Sequence, residues 1–346
     1  MKKILTCVGF LVILGFPAFL SGQGVSHTPA FLRMGFYNAE NYFDPYPDTT
    51  RNYNEFTPSG ARHWTVQRYR TKRQHIFKVI TAMGGWHGVD VMAFAEIENR
   101  FVLEDLLKST PLKTENYGII HYESPDHRGI DVGLIYRRNR FYPLYSKAIH
   151  VTGPSGTSLK TRDILYVKAL AGADTLHLFI NHWPSRYGGL MATVSKRILV
   201  AKILKHVIDS VCRHVPDAFI LVMGDFNETL SDKGIQLLLQ QGESCQMRAL
   251  SPHFDNGRAR GTIFGKTGWE IFDRVLCSKN MLAPDAPLFV IDESFHIFDA
   301  PFLLENDKNN MGWRPNRTYT GFTWHGGFSD HLPVYVDIRI RKTVTP

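Results

Sequence analysis

The sequence lacks the signatures of several large protein classes. Only four cysteines occur in 346 residues, and no two form a C-x-x-C pair, which argues against a zinc site and a disulfide-built scaffold. The chain has no G-x-S-x-G element, no P-loop and no glycine-rich dinucleotide fingerprint. Acyl transfer, nucleotide-driven motor activity and hydride transfer therefore lose support. Internal repeats and low-complexity tracts are also absent from the sequence.

Only one long apolar run occurs in the sequence, and it lies at the N-terminus. Lys2 and Lys3 precede an apolar stretch that ends near Leu20, and small and polar residues follow it. This order is typical of a secretory signal, and Pro17 within the short run argues against a permanent membrane anchor. We predict a signal peptide over residues 1–23, a single domain over 24–346, and a secreted or periplasmic protein with no stable membrane insertion.

The composition indicates a globular chain with a large core. Hydrophobic residues make up 44% of the sequence and charged residues 21%, which excludes global disorder. Loss of Lys2 and Lys3 with the signal lowers the formal net charge from +8 to +6. A net positive charge is compatible with phosphate-bearing partners and equally with solubility alone, so the charge does not by itself indicate the function. Three cysteines would remain, Cys212, Cys245 and Cys277; one disulfide is possible and none is required.

Apolar runs of strand length recur along the chain and alternate with helical patterns. The runs cover residues 31–38, 89–96, 129–137, 175–183, 218–227, 270–278 and 331–340. Helices are predicted over 64–83, 100–109, 191–212 and, after a Ser231 cap, 231–241. Strands that are apolar throughout must be covered on both faces, which predicts an α/β fold. The segment 282–328 is interpreted as a substrate-side loop or as irregular packing.

Polar side chains of one chemical type stand at the ends of these runs. They are Asn38, Glu96, His182, Asp225, Asn227, Asp330 and His331. Carboxylate and amide oxygens suit a hard cation such as Mg²⁺, with Mn²⁺ as an alternative, and histidines beside them suit a phosphoryl group. Each residue alone could have a purely structural role, such as a turn for Asp225 and Asn227 or a hydrogen-bonded structural histidine for His182. Together they indicate metal-assisted hydrolysis of a phosphate ester.

Seven stretches in this order resemble the endonuclease/exonuclease/phosphatase superfamily, which has the fold of deoxyribonuclease I. They are FYNAENYF, AFAEIEN, RGIDVGLIYR, INHWPSR, MGDFN, IFDRVLCS and FSDHLPVYVDI. The resemblance covers nearly all of the chain beyond the predicted signal. It implies a four-layer α/β sandwich, in which two mixed β-sheets pack face to face with helices outside.

The resemblance also implies roles for individual residues. Asn38, Glu96 and Asp330 match the family's metal-site positions. Asp225 matches the aspartate that handles a proton of water or of the leaving group, and Asn227 the asparagine that helps to orient it.

Histidines and their neighbours complete the implied site. His331 matches the histidine that contacts the phosphate, and Asp273 the aspartate that fixes its tautomer. His182 matches a position used for phosphate binding or leaving-group protonation. Arg128 and Asp131 match positions that contact phosphate or orient a histidine. Asn41 either touches the metal shell or caps a turn, and the turn is preferred.

Three functions follow as hypotheses. The leading one is an exported, Mg²⁺-dependent phosphodiesterase, a nuclease whose partner is nucleic acid. The second is a lipid or inositol phosphoesterase, motivated by seven aromatic residues between 295 and 324. The third is a catalytically inactive protein that keeps the fold and binds phosphate-bearing ligands.

Overall fold

The computed structural model of the protein describes residues 31–47, 54–153, 155–240, 245–291, 293–307 and 312–341. The predicted signal peptide, residues 1–23, lies outside these residues and stays a prediction, as does the domain boundary at residue 24. Within the described ranges, no helix combines the length and the apolar character needed to cross a bilayer.

Four α-helices occur in the described part of the chain. They are α1 (Val66–Gly84), α2 (Arg100–Lys108), α3 (Leu190–His214) and α4 (Lys233–Leu239). The side chains of Thr65 and Asn99 accept backbone N–H bonds at the starts of α1 and α2, and Gly85, with φ of 53°, ends α1. All four predicted helices are confirmed within about three residues.

The predicted cap of α4 is wrong. Asp232, and not Ser231, occupies the N-cap position. The Asp232 carboxylate instead accepts hydrogen bonds from the backbone and hydroxyl of Thr229 and pairs with Arg186. These contacts fold the loop before the helix and shift its start by two residues.

Twenty strands are present in the described residues. In chain order, β1 to β20 are Phe31–Tyr42, Val91–Ile97, Tyr117–His121, Asp131–Arg137, Phe141–Ile149, Ile164–Ala171, Asp174–His182, Phe219–Asp225, Met247–Ala249, His253–Phe254, Ile263–Gly265, Gly268–Glu270, Asp273–Ser278, Leu288–Val290, His296–Ile297, Leu304–Asp307, Gly312–Pro315, Tyr319–Thr320, Thr323–Trp324 and Val334–Ile340. All seven predicted strands are confirmed. The other thirteen strands were not predicted from the sequence; they are β3, β5, β6, β9 to β12 and β14 to β19.

Two mixed sheets form the centre of the molecule. The eight-stranded sheet has the order β10-β15-β20-β1-β2-β4-β3, with β14 also paired to β20. The six-stranded sheet has the order β5-β6-β7-β8-β13-β9. Each sheet contains a central parallel pair, β1 with β2 in the first and β7 with β8 in the second. Most other pairings are antiparallel, so both sheets are mixed as predicted.

Alternation along β8 shows how the layers are stacked. Leu221 and Met223 belong to the core cluster shared by the two sheets, whereas Ile220 and Val222 belong to the cluster that also contains residues of α3 and α4. Helix α1 packs its buried residues against the eight-stranded sheet. The predicted four-layer α/β sandwich is therefore confirmed.

The segment 282–328 is built from short strands and turns where it is described. Strands β14 to β19 and the 3₁₀ turn Pro301–Leu303 lie in it. Its aromatic residues are mostly covered; Phe295 and Tyr319 belong to the main core, and of the seven only Phe322 is exposed. This part of the chain is closer to irregular packing than to an open loop.

Candidate functional site

The two central parallel pairs deliver polar residues to one edge of the sandwich. In the first sheet Asn38 pairs with Ala95, which precedes Glu96, and in the second His182 pairs directly with Asp225. Because parallel strands end on the same side, each sheet contributes two strand ends to this edge. Asp273 begins the antiparallel neighbour β13 and lies opposite Asp225. The topology thus explains why residues distant in sequence meet.

Asp225 is the point at which these groups converge. Its Oδ2 accepts a 3.0 Å hydrogen bond from Asn38 Nδ2 and lies 3.6 Å from His182 Nε2 and 3.7 Å from His331 Nε2. Its Oδ1 accepts the backbone N–H of Asn227 at 2.9 Å. Burial raises the pKa of Asp225 to about 6, against the opposing charge of His331. A carboxylate with this pKa is suited to general-base work near neutral pH.

His331 forms a tight pair with Asp273. The distance from His331 Nδ1 to Asp273 Oδ2 is 2.7 Å, and both side chains are buried. Burial alone would lower the pKa of His331, but the Asp273 and Asp225 carboxylates raise it well above its ordinary value. The ring is therefore a cation with Nδ1 bound to Asp273 and Nε2 turned toward Asp225. Such a cation can bind a phosphate oxygen.

His182 has the opposite electrostatic character. Burial lowers the pKa of His182 well below its ordinary value, and the charges of Arg162 and Arg128 lower it further. Its Nε2 lies 3.9 Å from Glu96 Oε1 as well as near Asp225. Its Nδ1 has no hydrogen-bond partner among the described residues. The neutral ring can donate a hydrogen bond but holds no proton to release as an acid at neutral pH.

Backbone strain is concentrated at the strand ends. Glu96 and Asn227 have φ of 58° and 50°, and Glu40 and Asn41 have φ of 46° and 57°. Residues with side chains seldom adopt this left-handed region, and such strain clusters at functional sites. The backbone N–H of Asn41 donates to Glu96 Oε2 at 3.0 Å. The strained turn therefore fixes the direction of the Glu96 carboxylate, which fits the preferred turn role of Asn41.

Asp330 and Glu96 lie near one guanidinium. Arg317 pairs with Asp330 at 2.9 Å and with Glu40 at 3.6 Å. Burial alone would lower the pKa of Arg317, but the charges of Asp330, Glu40 and Glu96 raise it. The carboxylates of Asp330 and Glu96 are therefore on the same side of the molecule.

The predicted metal ligands share one donor chemistry. Asn38, Glu96 and Asp330 offer only oxygen atoms, which suits a hard divalent cation and not zinc. Asp330 already pairs with one cation, the Arg317 guanidinium, at 2.9 Å. The residues therefore fit a divalent ion.

Two groups of histidine and carboxylate side chains lie close enough together, among the described residues, to hold a cation, and neither contains a predicted metal ligand. They are Asp225, Asp273 and His331, and His121, Glu123 and Asp131. In the first, His331 is protonated and committed to Asp273, whereas a metal ligand must be a neutral ring. We interpret that group as a hydrogen-bonded relay. The second group surrounds one histidine, since Asp131 Oδ2 lies 3.0 Å from His121 Nε2.

Arg128 and Asp131 have different surroundings. Arg128 is partly exposed and lies 3.5 Å from Asp126. Asp131 is fully buried, and its carboxylate contacts His121 and the backbone N–H of Ser124. The structure places Asp131 in this internal pair and not against His182. The predicted substrate-binding role of both residues stays a prediction.

Sequence reasoning missed several cations of the site. Arg186 donates to the backbone oxygen of Asn227 at 2.9 Å and also pairs with Glu270 and Asp232. Arg162 donates to the backbone oxygen of Trp183, next to His182, at 2.6 Å. A single arginine within a loop has no periodicity or spacing that separates it from surface charge. Arg186 ends the stretch INHWPSR, so the resemblance could have drawn attention to it, whereas no quoted stretch contains Arg162.

Comparison with known families gives a match over most of the chain. The model of the family described as "Endonuclease/Exonuclease/phosphatase family" matches residues 33–340. No curated protein sequence matches the chain.

Solved structures share the fold at low sequence identity. The human Nocturnin catalytic domain with bound sulfate anion is 15% identical with a TM-score of 0.54, and the match covers 89% of this chain and 94% of that one. D. rerio TDP2 complexed with single strand DNA product is 14% identical with a TM-score of 0.54, covering 90% and 99%. A family protein from Bacteroides thetaiotaomicron is 14% identical with a TM-score of 0.55, covering 90% and 95%. At these identities the likeness shows the fold alone.

Proposed function

Because this chain belongs to the endonuclease/exonuclease/phosphatase family, whose members hydrolyse phosphoester bonds, we propose that it is an exported, metal-dependent phosphodiesterase that cleaves nucleic acid. One observation supports this most strongly: Asn38, His182 and His331 all approach a single oxygen of Asp225. Those residues come from four separate parts of the chain. A packing role alone does not require two histidines and an amide around one buried carboxylate.

The arrangement supports hydrolysis by activated water. Asp225 takes a proton from the attacking water as the new P–O bond forms, and its pKa of about 6 leaves most molecules unprotonated at neutral pH. The P–O bond to the leaving group then breaks, and the departing oxygen takes up a proton from solvent. The His331 cation, held by Asp273, binds a non-bridging phosphate oxygen where negative charge develops. Neutral His182 donates a second hydrogen bond to the phosphate. Asn227 is fixed by its bond to the backbone oxygen of Trp183 and helps to orient the water.

A divalent cation completes the proposed site. Asn38, Glu96 and Asp330 would hold Mg²⁺ or Mn²⁺ through their oxygen atoms. When bound, such a cation stabilises negative charge on phosphate oxygens. Arg317 would then balance the remaining charge of Asp330 and Glu40.

Export is supported by the disulfide as well as by the predicted signal. Cys212 and Cys245 are bonded, and Cys277 is a buried free thiol. Structural disulfides form and persist mainly in oxidising compartments outside the cytosol. A periplasmic or extracellular location is consistent with that bond.

The lipid or inositol phosphoesterase remains the second candidate. The observation that motivated it has weakened, because six of the seven aromatic residues between 295 and 324 are buried or half-buried. Phe322 alone is exposed, with Arg62 over its ring. A single exposed ring is a small surface for contact with a lipid.

A substrate panel on the protein without its signal tests the proposal. Plasmid DNA, single-stranded RNA, bis(p-nitrophenyl) phosphate and choline phospholipid are each incubated with Mg²⁺, with Mn²⁺ and with chelator. We expect cleavage of nucleic acid and of the small diester that stops on chelation. Turnover of the phospholipid without nicking of DNA would reverse the ranking, and ligand binding without turnover under any metal would support the inactive binding protein.

Two variants of one strand provide the control. Asp225→Asn alters the site end of β8, whereas Asp217→Asn alters an exposed carboxylate just before the other end of this strand. We expect the first to lose at least about a hundredfold in kcat/KM and the second to match the parent. Equal activity of the two variants would remove Asp225 from the mechanism.

A further inference from the structure

A cavity of about 730 Å³ opens beside the candidate site. Its walls come from three loops that flank the strand ends, around residues 126–128, 159–162 and 184–187. Asn41, whose backbone fixes Glu96, also lines it. The cavity therefore borders the turn that fixes Glu96 at the candidate site.

Positive charge dominates the lining of this cavity. Its cationic residues are Arg62, Arg128, Lys160, Arg162 and Lys196, and its carboxylates are Glu55 and Asp126. Glu55 pairs with Arg62 at 3.2 Å, and Asp126 pairs with Arg162 at 3.0 Å. Lys160 and Lys196 are exposed, and neither has an ion-pair partner among the described residues. An anion in the cavity would therefore meet uncompensated cations.

Buried polar groups stand in its wall. Thr161 and Arg162 are 7% and 5% exposed, and both line the cavity. Thr161 Oγ1 and Arg162 Nε have no hydrogen-bond partner among the described residues. Buried polar atoms are nearly always paired, and leaving one unpaired costs about 1–3 kcal/mol. The unpaired Thr161 hydroxyl beside the fixed positive charge of Arg162 therefore makes this wall suited to a ligand that brings an acceptor.

One carbonyl joins the cavity to the catalytic edge. The backbone oxygen of Trp183 accepts a hydrogen bond from Arg162 at 2.6 Å and another from Asn227 Nδ2 at 3.1 Å. Trp183 directly follows His182 in the chain. A phosphate bound at Arg162 would therefore lie close to a phosphate bound at His182.

An aromatic ring stands at the rim of the cavity. Tyr187 lines it and is 92% exposed. Gly188 and Gly189 follow with φ of 88° and 107°, a backbone that allows the ring to be presented away from the core. Exposed rings beside cations are the arrangement on which single-stranded bases stack while their phosphates bind the charges.

We propose that this cavity is a second anion-binding subsite, which takes the phosphate next to the scissile one while Tyr187 stacks on a base. The assigned substrate class is a single-stranded polynucleotide, in preference to an isolated diester. This assignment rests on the proposed function. Lys160 and Lys196 contact the second phosphate from the rim, and Thr161 and Arg162 bind it from the wall.

Rim variants test the subsite without disturbing buried residues. The double variant Lys160→Ala/Lys196→Ala is compared with Lys202→Ala/Lys279→Ala, which removes two exposed lysines that do not line the cavity. Substrates are a single-stranded oligonucleotide and bis(p-nitrophenyl) phosphate, which has only one phosphate. We expect the rim variant to lose at least about tenfold in kcat/KM on the oligonucleotide and less than about twofold on the small diester. Equal losses on both substrates, or on neither, would overturn the proposal.

A binding measurement separates this proposal from the proposed function. Fluorescence anisotropy of a labelled oligonucleotide is followed in chelator, so that no turnover is needed. The rim variant should lower the slope of log affinity against log salt by about 1.4, since each lost phosphate contact on a single strand contributes about 0.7. Tyr187→Ala should weaken binding at every salt concentration without changing that slope.

These results have distinct meanings. Salt-dependent binding with no cleavage of any substrate would retain the subsite and reject the phosphodiesterase. Cleavage of nucleic acid with an unchanged slope in the rim variant would retain the enzyme and reject the subsite. Rim-dependent binding of a compact polyphosphate but not of the oligonucleotide would reject the polynucleotide as occupant.

Thr161→Val provides a conservative check on the wall. The change removes the unpaired hydroxyl and keeps the shape of the side chain. We expect oligonucleotide affinity to fall at least about threefold while the thermal midpoint stays the same or rises, because a buried unpaired hydroxyl is lost. Unchanged affinity would remove Thr161 from the subsite.

Discussion

Asp225 owes its proposed chemistry to a balance between burial and nearby charge. Burial favours its neutral form, while the His331 cation and the amide groups of Asn38 and Asn227 favour the carboxylate. The result is a group that changes charge near pH 6 instead of near pH 4. Its electrostatic surroundings therefore match the task of a base in a reaction at neutral pH.

The rate should consequently rise with pH through the pKa of Asp225. The base acts only after it has lost its proton, and burial keeps it protonated up to about pH 6. We expect kcat/KM to increase by about tenfold between pH 5 and pH 7, and to level off above that range. Asp225→Asn should lose this ascending limb, while Asp217→Asn should keep it. A rate that does not change between pH 5 and pH 7 would contradict Asp225 as the base.

The Asp273 carboxylate sustains the charge of His331, and its removal should be measurable in two ways. Asp273→Asn removes the largest charge that raises the pKa of His331. We expect kcat/KM to fall by about 10- to 100-fold, and histidine NMR signals to show His331 losing its proton at lower pH. A matched control is Asp255→Asn, which breaks the comparable His296–Asp255 pair at 2.6 Å away from the site. Similar losses in the two variants would show a structural effect only.

Helix α3 is joined to the second sheet by two very different links. One is the Cys212–Cys245 disulfide between its last turn and the segment before β9. The other is the Arg197–Glu228 ion pair, 3.0 Å long and fully buried, which holds the helix to the loop after Asn227. The ion pair therefore holds α3 to the site end of β8, whereas the disulfide holds the opposite end of the helix.

The disulfide should stabilise the fold through its closed loop of chain. Its sequence separation is 33 residues, which corresponds to about 3–4 kcal/mol of reduced chain entropy in the unfolded state. Cys212→Ser/Cys245→Ser should therefore lower the free energy of unfolding by about that amount in urea titrations. Reductant should destabilise the parent and leave the double variant unchanged. An effect of reductant on the double variant would trace the loss to another cause.

The buried ion pair should be costly to break from one side. Arg197→Met leaves Glu228 buried without its cation, and we expect a loss of about 3–5 kcal/mol in the free energy of unfolding. Arg197→Met/Glu228→Leu removes both charges and should recover much of this loss. The partly exposed pair Lys205–Asp209 on the same helix is the control, since Lys205→Ala should cost less than about 1 kcal/mol. Equal effects at the two pairs would show that burial does not decide their importance.

At the scale of the molecule, the site exists only because the central strands of both sheets end at the same edge of the sandwich. Asn38 and Glu96 belong to the first sheet, and His182 and Asp225 to the second. The hydrogen bond from Asn38 to Asp225 crosses between them. Each sheet alone would present two polar groups at a bare edge, and the packed sandwich turns them into one site.

Export is a property of the whole chain and is tested on the full-length protein. Expressed from its own first residue, it should be recovered outside the cytoplasm with a new N-terminus between Ser21 and Gly24. N-terminal sequencing and fractionation measure this. A variant with Leu14→Arg in the apolar run should remain unprocessed. Recovery of the parent in the cytoplasm with its signal intact would reject the predicted location.

Much of this architecture could be predicted from local patterns in the sequence. Seven strands and four helices follow from periodicity, because the neighbours that set a pattern are close in the chain. Strand β5 was missed because it is an edge strand, with Pro143 inside it and several exposed residues, so it lacks the apolar signal of a buried strand. Strand β3 has only five residues, whereas β6 is eight residues long and mostly buried, so length and burial do not explain why β6 was missed.

The sequence by itself determined which chemical groups stand at the strand ends and that the order of motifs resembles one family. Tertiary structure alone decided the contacts of the side chains: the pairing of Cys212 with Cys245, the pairing of Asp131 with His121, and the places of Arg162, Arg186 and Arg317. Type and order are local properties of a chain. The charge, the pKa and the partner of a side chain depend on burial and on residues brought from far away, and no local pattern records them.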